Sequence, residues 1–274
     1  MPTPLELLLD PVSLLVFAMY GGLLLAERLW PARELPTISG WYLRAAVSFF
    51  TYFFVSSYAP LLWDGHLEAL RIFDLRDATP WIGATVGIFA YEALAYAYHR
   101  AMHAQNFLFR TLHQMHHSAE RLDAAGAFYF SPLDMLGWSL VGSFGMVVIV
   151  GISPEAATRA ILVLTFLGIF QHANLRTPRW LGYLVQRPES HAVHHQRGWH
   201  RNNYADLPIF DIAFGTFDNP ADYPEATGFY DGASARVAEM LIFCDVSEAP
   251  VPKSAASASL AAATSSATRP IIAS

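Results

Sequence analysis

Apolar residues gather in five long stretches, roughly 8–27, 42–63, 80–99, 133–152 and 157–174, divided by shorter polar or proline-bearing segments. Each approaches the roughly 20 residues that a helix needs to cross a hydrocarbon core. The pattern predicts an all-α fold, a polytopic bundle of membrane helices. The first stretch follows Glu6 and Asp10 and has no basic leader or small-residue cleavage site, so a retained span is expected rather than a removed signal peptide. Only a Gly-Ile-Ser-Pro turn separates the fourth stretch from the fifth, which leaves a re-entrant hairpin as the alternative there.

Charge between the stretches predicts an orientation, because cytoplasmic loops carry the excess of Lys and Arg. Arg28, Arg33 and Arg44 flank the loop after the first span; Arg100, Arg110 and Arg121 follow the third; Arg176, Arg179 and Arg187 follow the fifth. On the other side Asp64, Glu68, Asp74 and Asp77 outnumber Arg71 and Arg76, and Glu155 precedes Arg159. The three basic loops are expected in the cytoplasm and the N-terminus outside. Residues 1–249 read as a single membrane domain, and the Ala/Ser-rich segment 250–274 as a disordered tail without chemistry.

Composition strengthens the membrane reading. Of the residues 54% are hydrophobic and only 15% charged, against the roughly 25% charged of a soluble domain. The net charge of −6 comes with no basic block, which excludes nucleic acid as an expected partner. A single cysteine, Cys244, rules out an intrachain disulfide, a four-cysteine zinc site and a cysteine-ligated iron–sulfur cluster from this chain alone; it reads as a small buried hydrophobe.

Histidine is the unusual residue. Nine of the eleven lie between positions 99 and 195. His99 and His103 stand at i and i+4, on one face of the third helix. His113, His116 and His117, and again His191, His194 and His195, stand at i, i+3 and i+4, a spacing by which one helical turn offers three ring nitrogens to a shared point. His172 lies between them in Gln171-His172-Ala173-Asn174. All fall on the side expected to be cytoplasmic, so they can converge as a histidine-rich cap. Nine imidazoles exceed what a tetrahedral zinc site uses and suit two ions with open positions. A ligating ring donates its other N–H to an acceptor, for which Glu92, Asp123, Asp134, Glu189, Asp206 and Asp211 are candidates.

His99 to His103, His113 to His117 and His191 to His195 resemble the three histidine boxes of the fatty acid hydroxylase superfamily, also called the sterol desaturase family. Ser118, Gln171 to Asn174, and the run Asn203-Tyr204 through Phe210-Asp211 to Phe214-Gly215-Thr216 are similar to its pattern as well, so the resemblance covers about 85–217. It implies a cytosol-facing centre of two non-haem iron ions, with zinc as a substitute in recombinant protein, and O2-dependent hydroxylation or desaturation of a membrane lipid. It also implies electrons from a separate reductase, ferredoxin or cytochrome. The box histidines and His172 would be ligands and Asn174 would hold a metal-bound water. One departure stands out: Tyr129-Phe130-Ser131-Pro132 replaces the Arg-x-His-Pro stretch of many relatives, so no particular lipid is carried over.

Several residues receive plainer readings. His66 is expected to be structural, and His200, in Trp199-His200-Arg201, an interfacial anchor. Phe49, Phe50, Tyr52, Phe53 and Phe54 are expected to face lipid or neighbouring helices, with Trp180 and Tyr183 at the membrane interface. Two rival functions are a zinc-dependent membrane hydrolase and a metal transporter. The first wants a His-Glu-x-x-His box, which is absent from the sequence; the second wants ionisable residues along a path through the bilayer, where only Glu92 sits well inside a span.

Overall fold

The computed structural model describes residues 1–250; the segment read as a disordered tail lies, from 251 onward, outside the described residues. Helices open where a proline with a fixed helical φ follows a residue able to stay extended. Thr3 caps α1 (Pro4–Leu9) in a reciprocal box with Glu6, and the Asp10 carboxylate accepts from Val12 N–H to start α2 (Pro11–Leu29). After α3 (Trp41–Leu67), α4 (Pro80–Ala104) begins at another proline. The short α5 (Asn106–Leu108) leads through a π-helical stretch, Phe109–His113, into α6 (Gln114–His117). Ser131 caps α7 (Pro132–Ser143), which continues as a π-helical segment Phe144–Val150, and Ser153 caps α8 (Pro154–Phe170). Three short helices follow: α9 (Pro188–His194), α10 (Ile209–Phe214) and α11 (Val237–Leu241). Among the described residues there is no β-strand.

All five predicted spans are helical, with shifted ends. Among the described residues three helices are long and apolar enough to cross a membrane: Pro11–Leu29, Trp41–Leu70 and Pro132–Val150. α4 carries the buried Glu92, and α8 has 17 residues. The fifth span was expected to reach 174 and stops at Phe170, where the chain turns because Asn174 N–H is held by the Glu27 carboxylate and Asn174 C=O by Ala32 N–H. His172 therefore sits on a turn. α4 runs five residues past its expected end, which keeps both His99 and His103 on helix.

The long helices form a ring. α2 packs on α8, α8 on α4, α4 on α7 and α7 on α3. Aromatic side chains close the remaining side between α2 and α3: Tyr20 stacks on Phe49 at 4.1 Å, and Phe17 lies 5.1 Å from Phe53. On the α4 side the π-helical segment comes close because Gly145 has no side chain; a Cβ there would stand 3.0 Å from the Tyr91 backbone. The segment 118–131 folds back under the ring and is almost wholly buried. It is held by Ser48, whose hydroxyl donates to Phe128 C=O and accepts from Phe130 N–H.

Cys244 is exposed, not buried, because it lies beyond α11 at the surface, next to a Phe243 that turns with φ of 61°. Trp180 and Tyr183 are exposed, 63% and 60%.

Candidate metal centre

The nine histidines come together at one end of the ring and sort into two sets. One is His99, His103, His113, His117 and His194; the other is His116, His172, His191 and His195. In each set one ring atom per residue lies within 4.8 Å of all the others. Each three-histidine box is thus divided between two points, where the spacing alone suggested one shared point. His113 and His117 face one way and His116 the other, since residues three and four apart fan over about 100° of helix surface and the π-helical turn ending at His113 adds to the spread. Likewise His194 parts from His191 and His195. The sets adjoin: the His117 and His195 rings stack 4.1 Å apart.

Hydrogen bonds at the outer ring nitrogens decide what the inner ones offer. His99 Nδ1 lies 2.8 Å from Tyr204 C=O, His194 Nδ1 2.7 Å from Asn202 C=O and His172 Nδ1 2.6 Å from Gly168 C=O. A carbonyl only accepts, so each Nδ1 carries the proton and each neutral ring turns an Nε2 lone pair inward. Yet His194 Nε2 and His99 Nε2 are 3.0 Å apart, and His113 Nε2, whose Nδ1 meets Asp134 Oδ2 at 2.7 Å, is 2.9 Å from His99 Nε2. Burial, and behind it the neighbouring rings, holds His113 and His194 well below the ordinary histidine range, so no added proton bridges these atoms near neutral pH. Converging lone pairs without protons repel unless a cation lies among them. In the second set the Nε2 atoms of His116, His172, His191 and His195 are linked at 3.0–3.1 Å. His103 Nε2 and His117 Nε2 are buried without a hydrogen-bond partner. The donor set fits metal ions and fits a hydrogen-bonded core poorly.

The other acceptors behave differently from one another. Asp134 touches His113 directly. Asp206 reaches His191 through two amides, Gln171 and Gln186, in contacts of 2.8–2.9 Å. Asp211 accepts from the backbone of Tyr204 and Ala205 and so fixes the carbonyl that holds His99. Glu189 instead pairs with the buried Arg187 at 3.0 Å and with Thr177, which anchors the start of α9. Asn174 Nδ2 donates to Arg33 C=O, and its Oδ1 is buried without a hydrogen-bond partner. Asp123 accepts from Trp41 Nε1 and Arg121, and Glu92 from Leu207 N–H.

Two contributors escaped the sequence reading. His200, read as an interfacial anchor, places Nδ1 3.0 Å from His117 Nδ1. The carbonyls of Asn202 and Tyr204 hold two rings, and Asn202 and Asn203 take left-handed φ of 71° and 54° in doing so. Asn tolerates that conformation better than most residues, so the Asn202-Asn203 pair was the one available signal.

A cavity of about 460 Å³ opens from the histidines into the helix ring. His99, His113, His116, His172 and His191 line its near end. Phe49 and Phe53 pack against α2, a neighbouring helix, as expected, and together with Tyr52 they also line the cavity wall. Phe130, from the segment that departs from the resembled pattern, packs 4.6 Å from His116, and Ser131 next to it caps the helix that brings Asp134 to His113.

Residues 84–216 match the fatty acid hydroxylase family. The chain is 29% identical over 133 residues to very-long-chain aldehyde decarbonylase GL1-9 of Oryza sativa, covering 46% of this chain and 50% of that protein. It is 29% identical over 126 residues to sphinganine C4-monooxygenase 1 of Arabidopsis thaliana, covering 44% and 48%. The chain thus spans about half the length of these curated relatives. No solved structure matches it significantly. The matched residues contain every histidine of both sets, and on that ground residues 84–216 form a domain of the fatty acid hydroxylase (sterol desaturase) superfamily.

Proposed function

We propose that this protein is an O2-dependent lipid oxygenase in which the two histidine sets hold a pair of non-haem iron ions, hydroxylating or desaturating a C–H bond of a membrane lipid. The observation that carries the reading is the adjacency of five and four ring donors at the mouth of an apolar cavity. Nine ring donors in two adjoining sets exceed the three or four that one tetrahedral zinc ion uses, which favours a pair of ions over a single zinc centre. A transporter is disfavoured because the ring donors gather at one end and the cavity beyond them is lined mainly by apolar residues.

His99, His103, His113, His117 and His194 would bind one ion, and His116, His172, His191 and His195 the other. Bound iron supplies the activation of O2 needed to break an unactivated C–H bond. The balance for hydroxylation is one C–H, O2, two electrons and two protons giving C–OH and water, with the electrons from a separate reductase, ferredoxin or cytochrome. The chain's own part is to orient the rings through Asp134, Tyr204 C=O and Asn202 C=O, and to hold the lipid's chain along Phe49, Tyr52 and Phe53 so that one carbon faces the histidines. The basic loops beside the centre support a cytoplasmic side for it.

The test is metal content by mass spectrometry on detergent-purified protein, for wild type beside His194→Ala, His116→Ala and the double variant. About two ions per chain are expected in wild type, with each single variant losing one set's ion and the double variant both. At most one ion in fresh wild-type protein overturns the dinuclear reading. Iron-loaded protein is then supplied with electrons and candidate lipids, and O2 consumption that tracks oxidised product is the expected result.

A further inference from the structure

The cavity has a second, polar end. It is lined along α3 as far as Ser56, Ser57, Pro60 and Asp64, with Ser143 across from them on α7. Tyr52, which meets Phe130 edge-on at 5.7 Å on the histidine side, and Asp64 are twelve residues apart on one helix, about 18 Å at 1.5 Å per residue. With the side chains at each end the cavity measures about 20 Å along α3. An extended carbon chain with bonds of about 1.5 Å advances about 1.25 Å per carbon, so about 16 carbons cover that length.

What waits at the far end is almost all acceptor. Asp64 Oδ1 is buried with no hydrogen-bond partner. The Ser56 and Ser57 hydroxyls both spend their protons on Phe53 C=O, which leaves only lone pairs. Pro60 has no N–H, so the Ser56 carbonyl one turn earlier loses its helical donor. Ser143 Oγ accepts from Trp63 Nε1 and directs its own proton to the Asp64 carboxylate, the one donor at this end, while Asp64 Oδ1 is left without one. Among the described residues no Arg or Lys lines the cavity. Arg71 and Arg76, just beyond Asp64, are already paired with Glu68 and Asp74. Unpartnered buried acceptors are costly, and the group that relieves them is a donor. A carboxylate or phosphate end would meet the same sign of charge with no free cation among the described residues.

We infer that Asp64 and the serines around it form a subsite for the hydrogen-bond-donating end of a long single-chain amphiphile, an alcohol or an amine, whose opposite end lies at the histidines. The assignment of the histidine end as the oxidising end rests on the proposed oxygenase; the subsite itself does not. Oxidation then falls about 16 carbons from the polar group, far along the chain and not beside the head.

The test titrates detergent-purified protein with octadecan-1-ol, octadecylamine, octadecane and octadecanoate at matched micellar mole fractions, read by melting temperature and by native mass spectrometry of bound ligand. Wild type is expected to bind the alcohol and the amine at least about tenfold tighter than the alkane and the carboxylate. Asp64→Leu should erase that preference while leaving octadecane binding intact, which also shows that the variant is folded. Asp64→Asn keeps a neutral acceptor and should retain the alcohol while losing most of the amine. Equal affinities across the four ligands, or a preference that survives Asp64→Leu, overturns the subsite. These readouts need neither iron nor O2, so iron-loaded protein that binds the alcohol and consumes no O2 sinks the oxygenase reading alone. Product from octadecan-1-ol oxidised within a few carbons of its hydroxyl overturns the proposed orientation.

Discussion

Single side chains carry most of the site's precision. Asp134 holds His113 by its outer nitrogen, and neither group is more than 1% exposed, so no water replaces the bond if it is removed. Such partners typically support metal affinity by about 10- to 100-fold. Asp134→Ala should therefore weaken one of the two proposed metal sites by about that factor, measured by chelator competition, with the other retained. The buried rings also make stability depend on pH. Burial keeps His113, His116, His117, His191, His194 and His195 well below the usual histidine value, and His200 down at about 4. The unfolded chain binds these protons more readily, so the stabilisation is complete above about pH 6.5 and is lost as pH falls toward the folded values. Asp206, pushed up to about 7 by burial, and Asp211, also raised by burial, work in the opposite sense and offset part of the effect of the seven rings. The melting temperature of metal-free protein should fall from pH 6.5 toward pH 4, and scanning fluorimetry across that range checks it.

At the scale of elements, the positions of α6 and α9 matter more than their lengths of four and seven residues. α9 is anchored by Arg187 and Glu189, a pair no more than 1% exposed whose other bonds go to Thr177 and Asn219. Removing one member leaves a buried charge uncompensated, so Arg187→Met should cost about 3 kcal/mol in denaturant unfolding and lower metal occupancy with it. The buried segment after α6 depends on Gly126, where a Cβ would stand 2.4 Å from the Trp41 ring. Trp41 is itself fixed by its bond to Asp123. Gly126→Ala is expected to destabilise by about 1–3 kcal/mol, read from the same unfolding curves. The helices themselves were legible because runs of apolar residues follow Asp10-Pro11, Thr79-Pro80, Ser131-Pro132 and Ser153-Pro154. Their ends were less so: α8 stops early because Glu27, over 140 residues away in sequence, captures the Asn174 backbone.

On the scale of the whole molecule, the centre should act as a clasp, since its ligands come from α4, α6, α9, the turn holding His172 and the residues flanking these elements. An ion that binds only the folded chain stabilises it by mass action. Stripping metal should therefore lower the melting temperature by several degrees, and readdition should restore it; an unchanged melting curve would show that the histidine cap stands without metal. The sequence by itself determined the helical class, the five apolar stretches, the nine histidines and the family to which they point, because periodicity and spacing are local properties of the chain. Only the tertiary structure decided that each box divides between two sets, that His200 and two backbone carbonyls orient the rings, and that Phe49, Tyr52 and Phe53 face a cavity ending at Asp64. Those facts depend on which faces of distant segments meet, and spacing along one segment carries no information about what stands opposite it.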